Sequence, residues 1–563
     1  MTIEIGKYLN YRLAEMGVAH VFGVAGDFNL SYLEQIIADE QLQFIGNCNE
    51  LNGAYAADGY ARSNGFSALV TTYGVGDLSA INGVAGAYAE NVPVIHISGI
   101  PPLHAVNRGE LIHHTLVDGN YQNIMNCMRE FTVAQTRLTP ENAGLEIDRV
   151  LKACFLTRKP VYIQLPSDIT HLKIKAPKHP LDLSYPIGDP DVMQESVKVL
   201  SALISKAKSP VLLIDNEAHI FSVTDILMQL SKTHHIPYVC LSTAKNIMDE
   251  SSPFYAGVYS GAVGDSKVRE LVEGSDCLIG IGVRFSDAAT GFFTHDISLK
   301  NYLSIAQYDI NTPQKNFPGL DMTAFLTALN TAIVREKDKS SILPSYLPRT
   351  EDHQQELTTN EALTHHQLWG QIASFLKEGD VILGEVGASN SGLSGILLPK
   401  GASYLSQPLW GSIGYTLPAL LGSMFAAPTK RHLLFIGDGS LQLTVQELST
   451  IIRHGLKPII FILNNGGYTI ERLILGEKSL YNDIQNWKYQ EIAPVFNGSD
   501  GYQSFQVKTG AELNATLDAI QDNEVLTVIE LMLDPMDAPE SLKVFGEVVG
   551  RYDYGDKIFE ALV

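Results

Sequence analysis

RHLLFIGDGSLQLTVQELSTIIRHGLKPIIFILNNGGYTIERL, residues 431–473, holds the most informative pattern in this chain. An apolar run ends at Gly437-Asp438-Gly439-Ser440, a helical pattern follows, and a second apolar run ends at Asn464-Asn465-Gly466-Gly467. Short continuous apolar runs, bounded by glycine and joined by a helix-length segment, read as parallel strands buried on both faces. The same rhythm runs outward along the chain. Before it lie HVFGVAG near residue 20, FIGNC near 44, FSALVTTYG near 66 and VPVIHISG near 92. PVLLIDNE, PYVCLSTAK, CLIGIGVRF and LSIAQYDIN follow, then VILGEVG, and after the opening stretch LTVIELML. Two polar, proline-punctuated segments, 173–191 and 335–362, interrupt the rhythm and read as boundaries. The expected architecture is α/β, with three doubly wound parallel-sheet domains at 1–180, 190–340 and 360–563.

Open parallel sheets bind ligands beyond the carboxyl ends of their strands, so strand-end residues are the ones to weigh. Two neighbouring strand ends here present a carboxylate, Asp438, and an amide, Asn465, among glycines that let backbone approach a ligand closely. Hard oxygen donors suit magnesium, which arrives with phosphate. Backbone N–H groups opening the helix after Gly439 would cradle that phosphate. Either piece alone is an ordinary turn; the pair, each closing a strongly apolar strand, is what carries the reading.

The rest of the chain narrows the function. With 563 residues, 45% hydrophobic and 18% charged, it has ample material for several cores. A net charge of −22 repels nucleic-acid phosphates and anionic lipid. The longest apolar stretches, such as Lys457–Leu463, fall far short of the ~20 residues a membrane span needs. MTIEIGKYLN lacks the basic and apolar segments of a secretory leader. Cys48, Cys127, Cys154, Cys240 and Cys277 are scattered without CxxC pairs. A cytoplasmic protein with no cysteine-bound metal, no nucleic-acid partner and no membrane partner is expected.

Asp438 and Asn465, at this spacing, make the chain resemble the thiamine-diphosphate-dependent 2-oxo acid decarboxylases, the family of pyruvate, indolepyruvate and branched-chain 2-oxo acid decarboxylases. The resemblance covers essentially the whole length and implies thiamine diphosphate and Mg2+ as cofactors. It implies Asp438, Asn465 and the Gly467 carbonyl as metal ligands, with Gly439, Ser440 and Tyr468 at the diphosphate end. It assigns Glu50, in Asn47-Cys48-Asn49-Glu50, to the pyrimidine nitrogen, where it drives the 4′-amine toward its imino form. Leu409-Trp410-Gly411-Ser412-Ile413-Gly414 matches the segment lining the pyrimidine, with Ile413 wedged under the thiazolium. Asp27, His113, His114 and Glu471 match the family's proton-handling residues. Glu471 is expected at the substrate carboxylate, and Asp27 with His114 at aldehyde release. The resemblance also implies a homo-oligomer, with a dimer as the smallest active unit because first and third domains of different chains share a site.

Several positions depart from the pyruvate-type pattern. Ala388 stands where a cofactor-facing threonine is usual. Ala288 replaces an aromatic residue, and Asn390 and Ser391 are smaller than the usual occupants. A pocket of Ala288, Val386, Asn390, Ile470 and Ile474 is therefore expected to accept branched, longer or aromatic 2-oxo acids, each buried methylene contributing about 0.8 kcal/mol. The stretch PVLLIDNEAHI lacks the regulatory cysteine of some yeast-type members, which implies hyperbolic kinetics. Bland alternatives exist for single residues: Asp27 as a helix cap, Glu471 as a surface charge paired with Arg472 or Lys478. Glu447 reads as a solvated helical residue. Three other functions compete. A flavin-containing carboligase such as acetolactate synthase is disfavoured by His113-His114 and Asp27, and a silent scaffold by the joint presence of Glu50, Asp438, Asn465 and Glu471. A nucleotide-binding dehydrogenase lacks its G-x-G-x-x-G.

Overall fold

The computed structural model describes residues 2–334, 357–497 and 501–562. Its three large sheets follow the three apolar sets of the sequence. The first has six strands, all parallel, in the order Gln43–Gly46, His20–Gly23, Ser67–Thr72, Val94–Ile100, Val161–Pro166 and Gln135–Arg137. Every residue of Ser67–Thr72, Val94–Ile100 and Val161–Pro166 is buried, which is why these runs read as apolar rather than alternating. Strand order reverses between His20–Gly23 and Ser67–Thr72, so the crevice opens where Asp27 and Gly74 follow their strands.

The third sheet is also parallel and six-stranded, in the order Ser403–Leu405, Val381–Gly384, His432–Gly437, Ile459–Asn464, Leu526–Met532 and Tyr502–Val507. Its reversal lies between Val381–Gly384 and His432–Gly437. Glu385 and Asp438 therefore stand at the edges of the crevice, with Asn465 on the next strand.

The middle sheet corrects the expectation of a purely parallel array. Five parallel strands, Tyr255–Tyr259, Tyr238–Leu241, Pro210–Ile214, Cys277–Ile281 and Tyr302–Ala306, are extended by an antiparallel pair, Asp309–Asn311 and Asn316–Pro318. LSIAQYDIN, expected as one strand, is two: the chain turns back at Gln307-Tyr308, with Tyr308 at φ 65°. The 173–191 segment also contributes structure, because Lys173–Lys175 pairs antiparallel with Thr2–Glu4. Of the expected 335–362 connection, residues 335–356 lie outside the described residues.

Each of the three sheets has an apolar core of its own, and the first and third sheets also share one. The shared core forms around helix Glu50–Asn64 against helix Thr416–Ala426. Their backbones approach so closely that a Cβ at Gly422 would come to 1.9 Å from the Ala56 carbonyl, and one at Gly59 to 2.2 Å from that of Ala419. Only glycine fits at such a crossing. The five cysteines are all free, and no described helix is long and apolar enough to cross a membrane.

Candidate functional site

Strands His432–Gly437 and Ile459–Asn464 pair in parallel register, Gly437 beside Leu463, and so bring Asp438 and Asn465 together. Asp438 is 1% exposed. Its Oδ1 accepts the Gly439 N–H at 2.8 Å, and its Oδ2 accepts those of Gly466 at 2.8 Å and Gly467 at 3.2 Å. The helix opens at Asp438 itself, earlier than the expected start after Gly439, which turns the Gly439 N–H onto the carboxylate. Burial pushes the Asp438 carboxyl up to about 6 despite these donors, because removal from water disfavours the charged form. The Asn465 side-chain oxygen faces the Gly467 carbonyl at 2.8 Å and Asp438 Oδ1 at 3.3 Å. Three oxygen acceptors thus converge with no hydrogen among them. Rotating the amide turns the contacts into hydrogen bonds, and a cation between them turns them into ligation. The set fits Mg2+, which takes a few hard protein oxygens and leaves positions for water and phosphate. Gly439 is required for a second reason: a Cβ there would lie 2.5 Å from the Tyr468 ring. Ser440 is buried in the same turn.

The Leu409–Gly414 loop is pinned by carboxylates from both sides. Glu385, fully enclosed, accepts from Gly414 N–H at 3.2 Å, Thr416 N–H at 3.3 Å and Thr416 Oγ1 at 2.7 Å. Glu90, from the first sheet's helical layer, accepts from Leu409 N–H at 2.8 Å and Trp410 N–H at 3.3 Å. Burial raises both carboxyls. The Ser412 hydroxyl is engaged by Tyr55 Oη at 2.5 Å and by Asn82 Nδ2 at 3.1 Å. Gly411 and Gly414 take positive φ, 65° and 86°, which this tight turn requires. Ala388 opens the helix Ala388–Ser394 and packs on the third domain's own apolar core.

Glu50 begins helix Glu50–Asn64, whose Asn49 caps it by accepting from Asn52 N–H at 2.8 Å. Glu447 corrects the sequence reading. It is fully buried, not solvated, and accepts from Asn47 Nδ2 at 2.8 Å, Asn52 Nδ2 at 2.8 Å and the Cys48 N–H at 3.3 Å. The loop carrying Glu50 is therefore held by a third-domain carboxylate. Asp27 sits in a turn and caps no helix; the next helix, Leu30–Ile37, has Asn29 at its start. Asp27 Oδ2 instead meets His113 Nε2 at 2.6 Å, and its Oδ1 lies 3.9 Å from His114 Nδ1.

A cavity of about 620 Å3 lies between the middle and third domains. Ala288, Val386, Asn390, Ile470 and Glu471 line it, as do Gly411 and Ile413. It runs on past Tyr255, Val268 and Phe545, and its wall is mostly apolar. Glu471 is exposed and pairs with neither neighbour suggested for it; Arg472 is bound to Asp483 at 3.0 Å. Ile474 is not part of this wall. The end of its helix turns toward helix Glu540–Tyr554, where the Ile474 carbonyl would lie 2.8 Å from a Cβ at Gly550. Glu50, Asp27, His113 and His114 do not line the cavity either. A separate, more polar cavity of about 780 Å3, edged by Arg62, Arg158 and His219, contains none of the expected site residues.

A metal and diphosphate cradle at the switch point of one parallel sheet, with a strand-end glutamate on another, defines a thiamine-diphosphate enzyme. Family models agree: the thiamine pyrophosphate enzyme N-terminal TPP-binding domain matches residues 3–122, the central domain 197–316 and the C-terminal TPP-binding domain 386–531. Pyruvate decarboxylase isozyme 3 of Saccharomyces cerevisiae is 41% identical over 551 residues, 96% of this chain and 97% of that protein. Pyruvate decarboxylase of Kluyveromyces lactis is 40% identical over 549 residues, with the same two shares. An alpha-keto-acid decarboxylase of Mycobacterium bovis is 40% identical over 549 residues, 97% of this chain and 96% of that protein. The chain belongs to the pyruvate and alpha-keto-acid decarboxylase family of thiamine pyrophosphate enzymes. It is a carboxy-lyase whose cofactors are thiamine diphosphate and Mg2+.

Proposed function

We propose that the enzyme decarboxylates 2-oxo acids without oxidation, releasing aldehyde and carbon dioxide, and that it accepts branched, longer or aromatic acids as well as pyruvate. The 620 Å3 apolar cavity carries this reading: it joins Ile413 and Glu471 to a wall in which Ala288 leaves space where a larger side chain would close it. Such a volume lies within the ~300–1,000 Å3 of pockets that enclose drug-sized ligands. Thiamine diphosphate, when bound, supplies the electron sink for loss of carbon dioxide.

The protein's own groups do the rest. Asp438, Asn465 and the Gly467 carbonyl would hold Mg2+, and Gly439, Ser440 and Tyr468 would bind the diphosphate. Glu50 holds a proton at the pyrimidine nitrogen, positioned by Glu447 through Asn47 and Asn52. Glu471 faces the substrate carboxylate in a pocket whose apolar wall excludes water. Asp27, His113 and His114 exchange protons with product, since the 2.6 Å contact between Asp27 and His113 is a ready proton path. The four first-domain groups lie outside the cavity lined by third-domain residues, which supports a homo-oligomer in which a second copy completes each site. The domain limits we propose are 1–180, 190–340 and 360–563, and the setting cytoplasmic.

The test is a kcat/KM profile over pyruvate, branched-chain and indole-type 2-oxo acids with thiamine diphosphate and Mg2+ supplied. Turnover sustained or raised with side-chain size supports the open pocket. Collapse for every acid larger than pyruvate rejects it.

A further inference from the structure

Asp27, His113 and His114 differ in chemistry from the magnesium cradle. One ligand atom from each lies within 4.8 Å of the others, and two of the three are imidazole nitrogens. Both rings are held. His113 stacks on Phe28 at 5.1 Å, and His114 stands edge-on to Phe28 at 5.8 Å and to His113 at 4.6 Å. The His114 backbone is fixed in the left-handed region at φ 61°. Its carbonyl rests against Gly74, where a Cβ would come to 1.9 Å. A non-glycine residue kept in that region marks a locally imposed geometry. His114 Nδ1 is enclosed and has no hydrogen-bond partner, while Asp27 Oδ1 lies 3.9 Å away.

We propose that these three residues form a second metal site, selective for zinc-like divalent ions, distinct from the Asp438 cradle. Two imidazoles and one carboxylate with an open fourth position are a known zinc donor set. Imidazole favours zinc over magnesium, whereas carbonyl and carboxylate oxygens favour magnesium, so the two sites sort ions by ligand type. Ligand bonds of about 2.0–2.1 Å in a tetrahedron space ligand atoms by roughly 3.3 Å. The 2.6 Å contact would open by about 0.7 Å and the 3.9 Å gap close by about 0.6 Å, while ligand atoms as far as 4.8 Å apart would close by up to about 1.5 Å. Zinc so bound occupies the lone pairs of both imidazoles, and the cluster can no longer take or give protons. Zinc binding stands on this geometry alone. The inhibition it causes rests on the proposed decarboxylation.

The experiment uses holoenzyme saturated with thiamine diphosphate and excess Mg2+. Zn2+ is titrated by calorimetry, with Co2+ as a spectroscopic probe. One ion per chain and an intense tetrahedral cobalt spectrum are expected. Asp27→Ala and His114→Ala should each weaken binding by more than the roughly 100-fold ascribed to the groups that merely orient zinc ligands. A variant-free readout covers the case of misfolding. In wild-type holoenzyme, Zn2+ should inhibit aldehyde release, and a chelator that ignores Mg2+ should restore it. Binding undiminished in folded variants, no bound zinc, or inhibition relieved by added Mg2+ would overturn the proposal; the last would mean that zinc competes for Asp438.

Discussion

Two carboxylates that follow strands flanking the switch points of the first and third sheets live in opposite surroundings. Asp438 is 1% exposed and accepts three backbone N–H groups, whereas the Asp27 side chain is 45% exposed and meets only imidazoles. The third-domain cradle is complete within the chain; the first-domain cluster lies open, its rings framed by Phe28. The difference separates two tasks. Binding a cofactor needs fixed donors, and moving protons needs groups that reach substrate.

If this division holds, substitutions in the two regions fail differently. Glu50→Gln should lower kcat by roughly 10²–10⁴-fold, the range for a lost general acid–base group, with thiamine diphosphate still bound. Asp438→Asn should do the reverse, weakening cofactor retention by more than about 100-fold. Equilibrium binding beside steady-state kinetics distinguishes them, and loss of cofactor in both variants would break the comparison. Ala288→Tyr should lower kcat/KM for branched and aromatic acids about 10-fold or more relative to pyruvate. An unchanged substrate ranking would remove Ala288 from the specificity wall.

Smaller effects sharpen the picture of how the regions are joined. Glu447→Ala leaves Asn47 and Asn52 without their shared acceptor and should cost about 1–3 kcal/mol. Denaturant unfolding of the holoenzyme measures it, and a neutral result would return Glu447 to a surface role. His432, at the start of the strand leading to Asp438, donates from Nδ1 to the Lys430 carbonyl at 2.9 Å while its Nε2 is buried without a partner. Burial lowers its pKa from 6.5 to about 4. The unfolded chain binds this proton more readily, so the stability contribution is present above about 6.5 and lost as pH falls toward 4. Thermal unfolding should track that window, and His432→Gln should flatten it.

The strand ends were readable because buried parallel strands are apolar throughout and stop at glycine, which singled out Asp438 and Asn465; Glu50 and Asp27 were assigned through the resemblance to the family. The antiparallel edge of the middle sheet was not readable. Nothing in IAQYDI marks a reversal, which depends on Tyr308 adopting a positive φ. Glu447 was misread because its burial is decided by Asn47 and Asn52, some 400 residues away. Glu385 and Glu90 went unassigned for the same reason: their partners, the N–H groups of the Leu409–Thr416 segment, carry no side-chain signature. Ile474, expected in the pocket, lies outside it because the end of its helix turns toward Gly550.

Whether the two regions work together across chains can be measured directly. Glu50→Gln and Asp438→Asn chains, each inactive alone, are unfolded, mixed in equal amounts and reassembled with thiamine diphosphate and Mg2+. If each site draws its first-domain half from one copy and its third-domain half from another, random pairing leaves one site in four intact, and about a quarter of wild-type activity returns. If each site is built within one chain, the mixture stays as inactive as its parts, and the account of a divided site is wrong.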